Sequence, residues 1–146
     1  DAHRLTVAGS LGLPQVICPG GAEHIGLFVE PNTVPEEWEG WMHVFHNPVV
    51  YVPRLSADQL EQIGAEVGSR LESTTGPAAL MIPTRGVSRY SIEGGPLHDP
   101  DGDERFFAAL RSHCPSQVEV VDVDAGAEDD AFIKACVKKL DAMMKS

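Results

Sequence analysis

The segment 83–103, PTRGVSRYSIEGGPLHDPDGD, places two arginines, two serines and four carboxylates directly after an apolar run. Anion binding is the simplest chemistry for such a mixture. Arg85 can make paired hydrogen bonds to a phosphate or carboxylate, Gly86 lets the backbone approach, and Ser88, one residue beyond Val87, adds a hydroxyl donor. The alternative is that Arg85 pairs with Asp99 or Asp101 and holds its own loop folded. A second glycine-bearing segment, Pro19-Gly20-Gly21, can present backbone N–H groups to an oxyanion or can serve as a plain tight turn. His46 and Asn47, in His46-Asn47-Pro48, are candidates to complete the cleft, and a turn stabilised by their side chains is the competing reading. If the chain is an enzyme, a hydrolase or transferase, His46 or His98 would be the general base and Arg85 would stabilise developing charge.

Several specific chemistries lack their patterns. Neither G-x-G-x-x-G nor G-x-x-x-x-G-K-[ST] occurs, which argues against a Rossmann dinucleotide site or a Walker-A site inside these residues. The segment Gly86-Val87-Ser88-Arg89-Tyr90 misses the second glycine of a nucleophile elbow, so a hydrolase triad is unsupported. Six histidines are present, but the spacing of His24, His43, His46 and His98 matches no zinc pattern, and no metal is expected. Trp38 and Trp41 can stack a base or a partner, or simply anchor a small loop core.

The elements that must position these groups follow from periodicity. Residues 1–12 read as the end of a helix stopped by Gly12, and 14–18 as a short strand ended by Pro19-Gly20-Gly21. A long irregular stretch to Gly40 holds one helical turn at Pro35–Trp38, and such a loop is expected to line a site or an interface. Short strands are expected at 42–45 and 49–52. Ser56-x-x-Gln59 is a capping box opening a helix with Leu60, Ile63, Val67 and Leu71 on one stripe, ending near Ser73. The unalternated apolar run 78–82 predicts a strand covered on both faces. A helix at 103–112, a strand at 117–123 and a helix at 129–144 bearing Phe132, Cys136, Leu140 and Met143 complete the order. The fold class is therefore α/β, a Rossmann-like, mostly parallel sheet flanked by helices, with ligands expected outside the carboxyl ends of the strands.

The 146 residues suit one domain, and 42% hydrophobic with 23% charged residues is a globular composition. A net charge of −11 opposes approach to nucleic acid or anionic membranes. No run approaches a bilayer span, so no membrane partner is expected. The odd set Cys18, Cys114 and Cys136, without a C-x-x-C pair, suits a reducing cytoplasm. The chain starts without Met, which fits processing or truncation upstream.

Read as an ordered series, Gly12-Leu-Pro-Gln-Val-Ile17, the Gly-rich loop, Pro31-x-x-Val-Pro35, His46-Asn47-Pro48, Arg54, Gly76-Pro77, Pro83-x-Arg-Gly-Val-Ser88 and His98-Asp-Pro100 resemble the Tm-one-like ATP-binding family, named for a tomato mosaic virus resistance protein. The resemblance spans nearly the whole chain. It implies ATP as the associated cofactor and a two-domain protein of Rossmann-like units. Residues 1–146 would then be a C-terminal portion of the second unit, with the upstream domain absent. It further implies that a small anionic ligand and either a second polypeptide or the missing N-terminal region are partners, in a homo- or hetero-oligomer that completes the fold.

Overall fold

A computed structural model describes residues 3–145 of the chain. Strands β1 (Gln15–Ile17), β5 (Ala78–Pro83) and β6 (Glu119–Val123) form a parallel sheet in the order β1-β5-β6. Between them in sequence, β2 (Leu27–Phe28), β3 (His43–Asn47) and β4 (Val50–Pro53) form a separate antiparallel sheet in the order β2-β4-β3. The second sheet was not anticipated as a unit, although strands at 42–45 and 49–52 were; its third member is only two residues long and lies in the Gly- and Pro-rich stretch.

Every residue of β5 is buried, as its unbroken apolar run requires. Ala78, Leu80 and Ile82 face one cluster with Leu60 and Leu71 of α2 (Ala57–Leu71) and Phe106 and Leu110 of α3 (Pro100–His113). Ala79 and Met81 face the other with Phe132 of α4 (Asp130–Met144). The α/β expectation therefore holds: a parallel sheet lies between a helix pair and a single helix. The helix pair packs closely because α2 lacks side chains where α3 crosses it. A Cβ on Gly64 would lie 2.7 Å from Ala109 Cβ, and one on Gly68 would lie 2.6 Å from His113 Cβ. Both are far inside van der Waals contact.

Local signals set the helix starts. The Ser56 hydroxyl accepts from Gln59 N at 3.3 Å while Gln59 Oε1 accepts from Ser56 N at 2.9 Å, so both halves of the capping box are made. Helix α3 begins earlier than the expected 103. Asp99 caps it by accepting from Gly102 N at 3.1 Å, and Pro100 occupies the first turn, where its missing N–H costs nothing. The polar loop after β5 is correspondingly shorter than 83–103. At the other end of the chain only a single turn, α1 (Val7–Ser10), is helical, where residues 1–12 were expected to be; Asp1 and Ala2 lie outside the described residues. Leu5 takes φ 70°, which breaks the helix on its N-terminal side, and Gly12 takes φ 70° at the expected stop.

Candidate functional site

Three loops leave the carboxyl ends of β1, β5 and β6, and the backbone ties them together. Gly21 N donates to Val87 O at 2.7 Å, Arg85 N to Ala125 O at 3.2 Å, and Ala127 N to Gly86 O at 2.9 Å. The sheet order causes this: β5 is central, so its loop must meet both neighbours. Gly86 takes φ 127°, and a Cβ there would lie 2.9 Å from Ile92 N, so the turn demands glycine. Thus Gly20, Gly21, Gly86, Val87 and Ser88 are brought to one end of the sheet.

Arg85 meets neither Asp99 nor Asp101. Its Nε donates to Asp124 Oδ1 at 2.6 Å and its Nη2 to Asp124 Oδ2 at 2.8 Å, a two-point pair in which the side chains are 66% and 77% exposed. The bond to Asp124 holds the guanidinium above its ordinary range and the carboxylate below its own. Asp99 instead serves Arg54 and the α3 cap. Beside Arg85 a cleft of about 550 Å³ opens between Thr84–Gly86, Ile92–Glu93, His98, the first turns of α3 and Gly126–Asp129. His98 lines it, with Nδ1 3.1 Å from Ser91 O.

His46 lies elsewhere. Its Nδ1 is 2.8 Å from the Tyr90 hydroxyl, in a separate depression of about 380 Å³ that also holds Gly21, His24, Ser88 and Arg89. The structure therefore does not gather His46, His98 and Arg85 into one catalytic group. Asn47 is a turn residue, its Oδ1 accepting from Val49 N at 3.0 Å. Trp38 and Trp41 pack on one another edge to face, 4.6 Å apart.

Beneath both concavities runs a polar layer that the sequence did not disclose. Glu23 is fully buried; its Oε1 accepts from the Ser88 hydroxyl and lies 3.0 Å from His24 Nδ1. Ser88 Oγ also accepts from Tyr90 N at 3.1 Å. Arg54 is buried beside it, bonded to Leu97 O at 2.8 Å and to Asp103 Oδ1 at 2.7 Å. The adjacent pair Glu23-His24 was the available signal, because a carboxylate next to an imidazole can fix its tautomer. Among the described residues no group of three or more His, Cys, Asp or Glu is placed to hold a metal ion. Nor is any helix of theirs long and apolar enough to cross a membrane.

Burial pushes the Glu23 carboxyl up, but the hydrogen bonds from His24 and Ser88 outweigh it and hold the group below the usual glutamate range. A depressed folded value means that stabilisation is complete above the unfolded value, about pH 4.3, and is lost as pH falls through the folded one. Asp103 has the opposite sign: burial raises it beyond what the Arg54 bond lowers, so its contribution fades as pH rises through the folded value. Urea unfolding across this acid range is expected to show a shallower acid limb for Glu23→Gln, with a loss of about 1–2 kcal/mol at neutral pH. An unchanged limb would remove Glu23 from the acid response.

Residues 1–144 match the family described as the C-terminal domain of uncharacterised protein family UPF0261. The chain is 31% identical to a UPF0261 protein of Clostridium tetani over 98% of its own length and 35% of that relative's. It is 36% identical to one of Mesorhizobium japonicum over 89% of its own length and 33% of the relative's. A UPF0261 protein of Rhizobium meliloti is 38% identical over 68% of the chain. The chain thus spans about a third of the length of the first two relatives. With the matched domain covering nearly every residue, the chain belongs to the UPF0261 family and corresponds to its C-terminal domain.

Proposed function

We propose that this chain binds a small hydroxylated anion in the cleft beside Arg85, at the carboxyl ends of β5 and β6. The observation that carries the reading is the state of Arg85. It stands at the place where ligands bind in parallel sheets, and its pair with Asp124 is solvent-exposed and so exchanges readily for a ligand's phosphate or carboxylate. The cleft also carries Glu93 and Asp129, which suit hydroxyl donors on the rest of the ligand. A volume of about 550 Å³ is ordinary for a small-molecule site. A nucleotide has both features, a phosphate and a ribose, and the resemblance to the Tm-one-like ATP-binding family favours ATP among such ligands.

Calorimetric titration of ATP and of ribose 5-phosphate tests the assignment. Arg85→Ala is expected to weaken binding about ten- to a hundred-fold, the range for losing a charged hydrogen bond. Asp124→Asn, which frees the guanidinium, is expected to tighten it about two- to five-fold. Equal affinity in wild type and Arg85→Ala would sink the role of Arg85.

An assembly reading has its own support. Helix α4 leaves Ile133, Val137 and Met144 exposed at i, i+4 and i+11, one apolar face, and the relatives carry additional chain that could cover it. Sedimentation of a full-length family member against this domain alone would separate self-association from internal docking.

A further inference from the structure

We infer that His24 is the general base of a second site, in the depression it shares with Tyr90 and Arg89, and that this site moves a proton on a small 2-oxo acid. The inference goes beyond the anion-binding reading and involves neither Arg85 nor its cleft.

The buried Glu23 carboxylate sets the tautomer of His24. The carboxylate is ionised, so the 3.0 Å contact to His24 Nδ1 is one in which the imidazole donates. A proton fixed on Nδ1 leaves the lone pair of the neutral ring on Nε2. Nε2 makes no hydrogen bond among the described residues, and the His24 side chain is 22% exposed, on the wall of the depression. A carboxylate that fixes the tautomer and offsets the charge of the imidazolium is the arrangement a general base requires.

The neighbours narrow the chemistry. Ser88 is not placed to act as a nucleophile, because it is only 6% exposed and its oxygen already accepts from Tyr90 N. What faces the depression instead is an acid–base pair: the Tyr90 hydroxyl, 2.8 Å from His46 Nδ1, on a ring packed edge-on to His24 with centroids 5.7 Å apart. Arg89 supplies a guanidinium, 66% exposed and 3.9 Å from Glu128, too far for a tight pair. Val50, Val52 and Val87 give an apolar floor on which these charges act more strongly. A base, a phenolic acid and a carboxylate anchor round about 380 Å³ suit a substrate of a few carbon atoms with a carbonyl next to its carboxylate.

The step balances without a co-reactant. His24 Nε2 takes a proton from the carbon beside the carbonyl; that C–H bond breaks and its electron pair forms the carbon–carbon double bond of the enol. The carbonyl π pair moves onto oxygen, which takes the Tyr90 phenolic proton and leaves a phenolate that accepts a hydrogen bond from His46 Nδ1–H. Reversal returns one proton from His24 to carbon and one from the enol to the Tyr90 oxygen. Glu23 is a positioning residue in this scheme, acting only through His24.

Deuterium exchange tests it, with pyruvate and 2-oxobutyrate as probes in D2O and loss of the C3 proton signal followed by NMR. The protein is expected to accelerate exchange above an equal concentration of free imidazole, and His24→Gln and Tyr90→Phe are each expected to slow it by about a hundred-fold or more. Arg89→Ala should raise the concentration of probe needed for half-maximal rate. Tyr90→Phe removes only one atom from a partly exposed ring, and thermal melts establish that both variants fold. Nitrogen-15 spectra of the imidazoles give a readout independent of turnover: His24 should be protonated on Nδ1, and Glu23→Gln should abolish that preference. No exchange with either probe by the wild-type protein, undiminished exchange in folded His24→Gln, or a mixed tautomer of His24 in the wild type would each overturn the inference.

Discussion

Replacing Arg54 by alanine is expected to cost about 3–5 kcal/mol of folding stability, the range for removing one partner of a buried ion pair. The guanidinium is 4% exposed and joins three segments of the chain. Its Nη1 donates to Leu97 O at 2.8 Å and its Nη2 to Asp103 Oδ1 at 2.7 Å and Asp99 O at 3.4 Å. Nε lies 3.4 Å from Asp99 Oδ2, close enough for charge attraction but without hydrogen-bond geometry. Alanine leaves the Asp103 carboxylate buried beside Glu23 with nothing to balance it, and burial already drives that carboxyl upward.

The same change should reach the ligand cleft. Arg54 pins the end of the loop after β5 to β4, and Asp103 lines the cleft floor. Urea unfolding of Arg54→Ala, Arg54→Lys and the double replacement Arg54→Met with Asp103→Leu separates the causes. Lysine keeps the charge but not the fork, so it should be intermediate. The double variant should recover part of the loss, since an apolar pair of similar volume leaves no buried charge. If Arg54→Ala cost no more than about 1 kcal/mol, as an exposed pair would, the layer would not be a structural one.

The sequence made legible what is decided within a few residues. The capping box at Ser56 and Gln59 is an i to i+3 signal, and the two-sided burial of β5 follows from an apolar run with no alternation. The long 20–40 stretch and the loop after β5 were recognisable as long irregular segments, and they meet at the carboxyl end of the sheet, where Gly21 N donates to Val87 O. Partners were not legible. Arg85 finds Asp124, 39 residues on; Glu23 finds Ser88, 65 residues on; His46 finds Tyr90, 44 residues on. Each pairing depends on β1 and β6 flanking β5, or on the antiparallel sheet folding over the β5 loop, and strand order is not a property of any local window. Composition could nominate Arg85 as a binder of anions and His46 and His98 as bases, but it could not show that the two histidines face different hollows.

Oxidation with diamide is expected to join Cys18 to Cys136. Their sulfurs lie 3.6 Å apart although 118 positions separate them, Cys18 just past β1 and Cys136 on the inner side of α4. Burial, with the Cys136 hydrogen bond, pushes the Cys18 thiol up to about 12, so little thiolate forms near neutral pH and the reaction should be slow without a strong thiol oxidant. Diamide treatment should therefore remove two thiols of the three from titration and leave Cys114 free. Closing so large a loop would stabilise the fold by about 5 kcal/mol at most in the chain-entropy model, and strain in the bridge would subtract from that. The bridge would also tether the Gly20-Gly21 loop to α4, so thermal melts and ATP titration of the oxidised protein report stability and cleft together. A higher melting temperature that falls back on reduction, and is absent in Cys136→Ser, is the expected result; oxidation that leaves all three thiols titratable would show that the two sulfurs do not meet in solution.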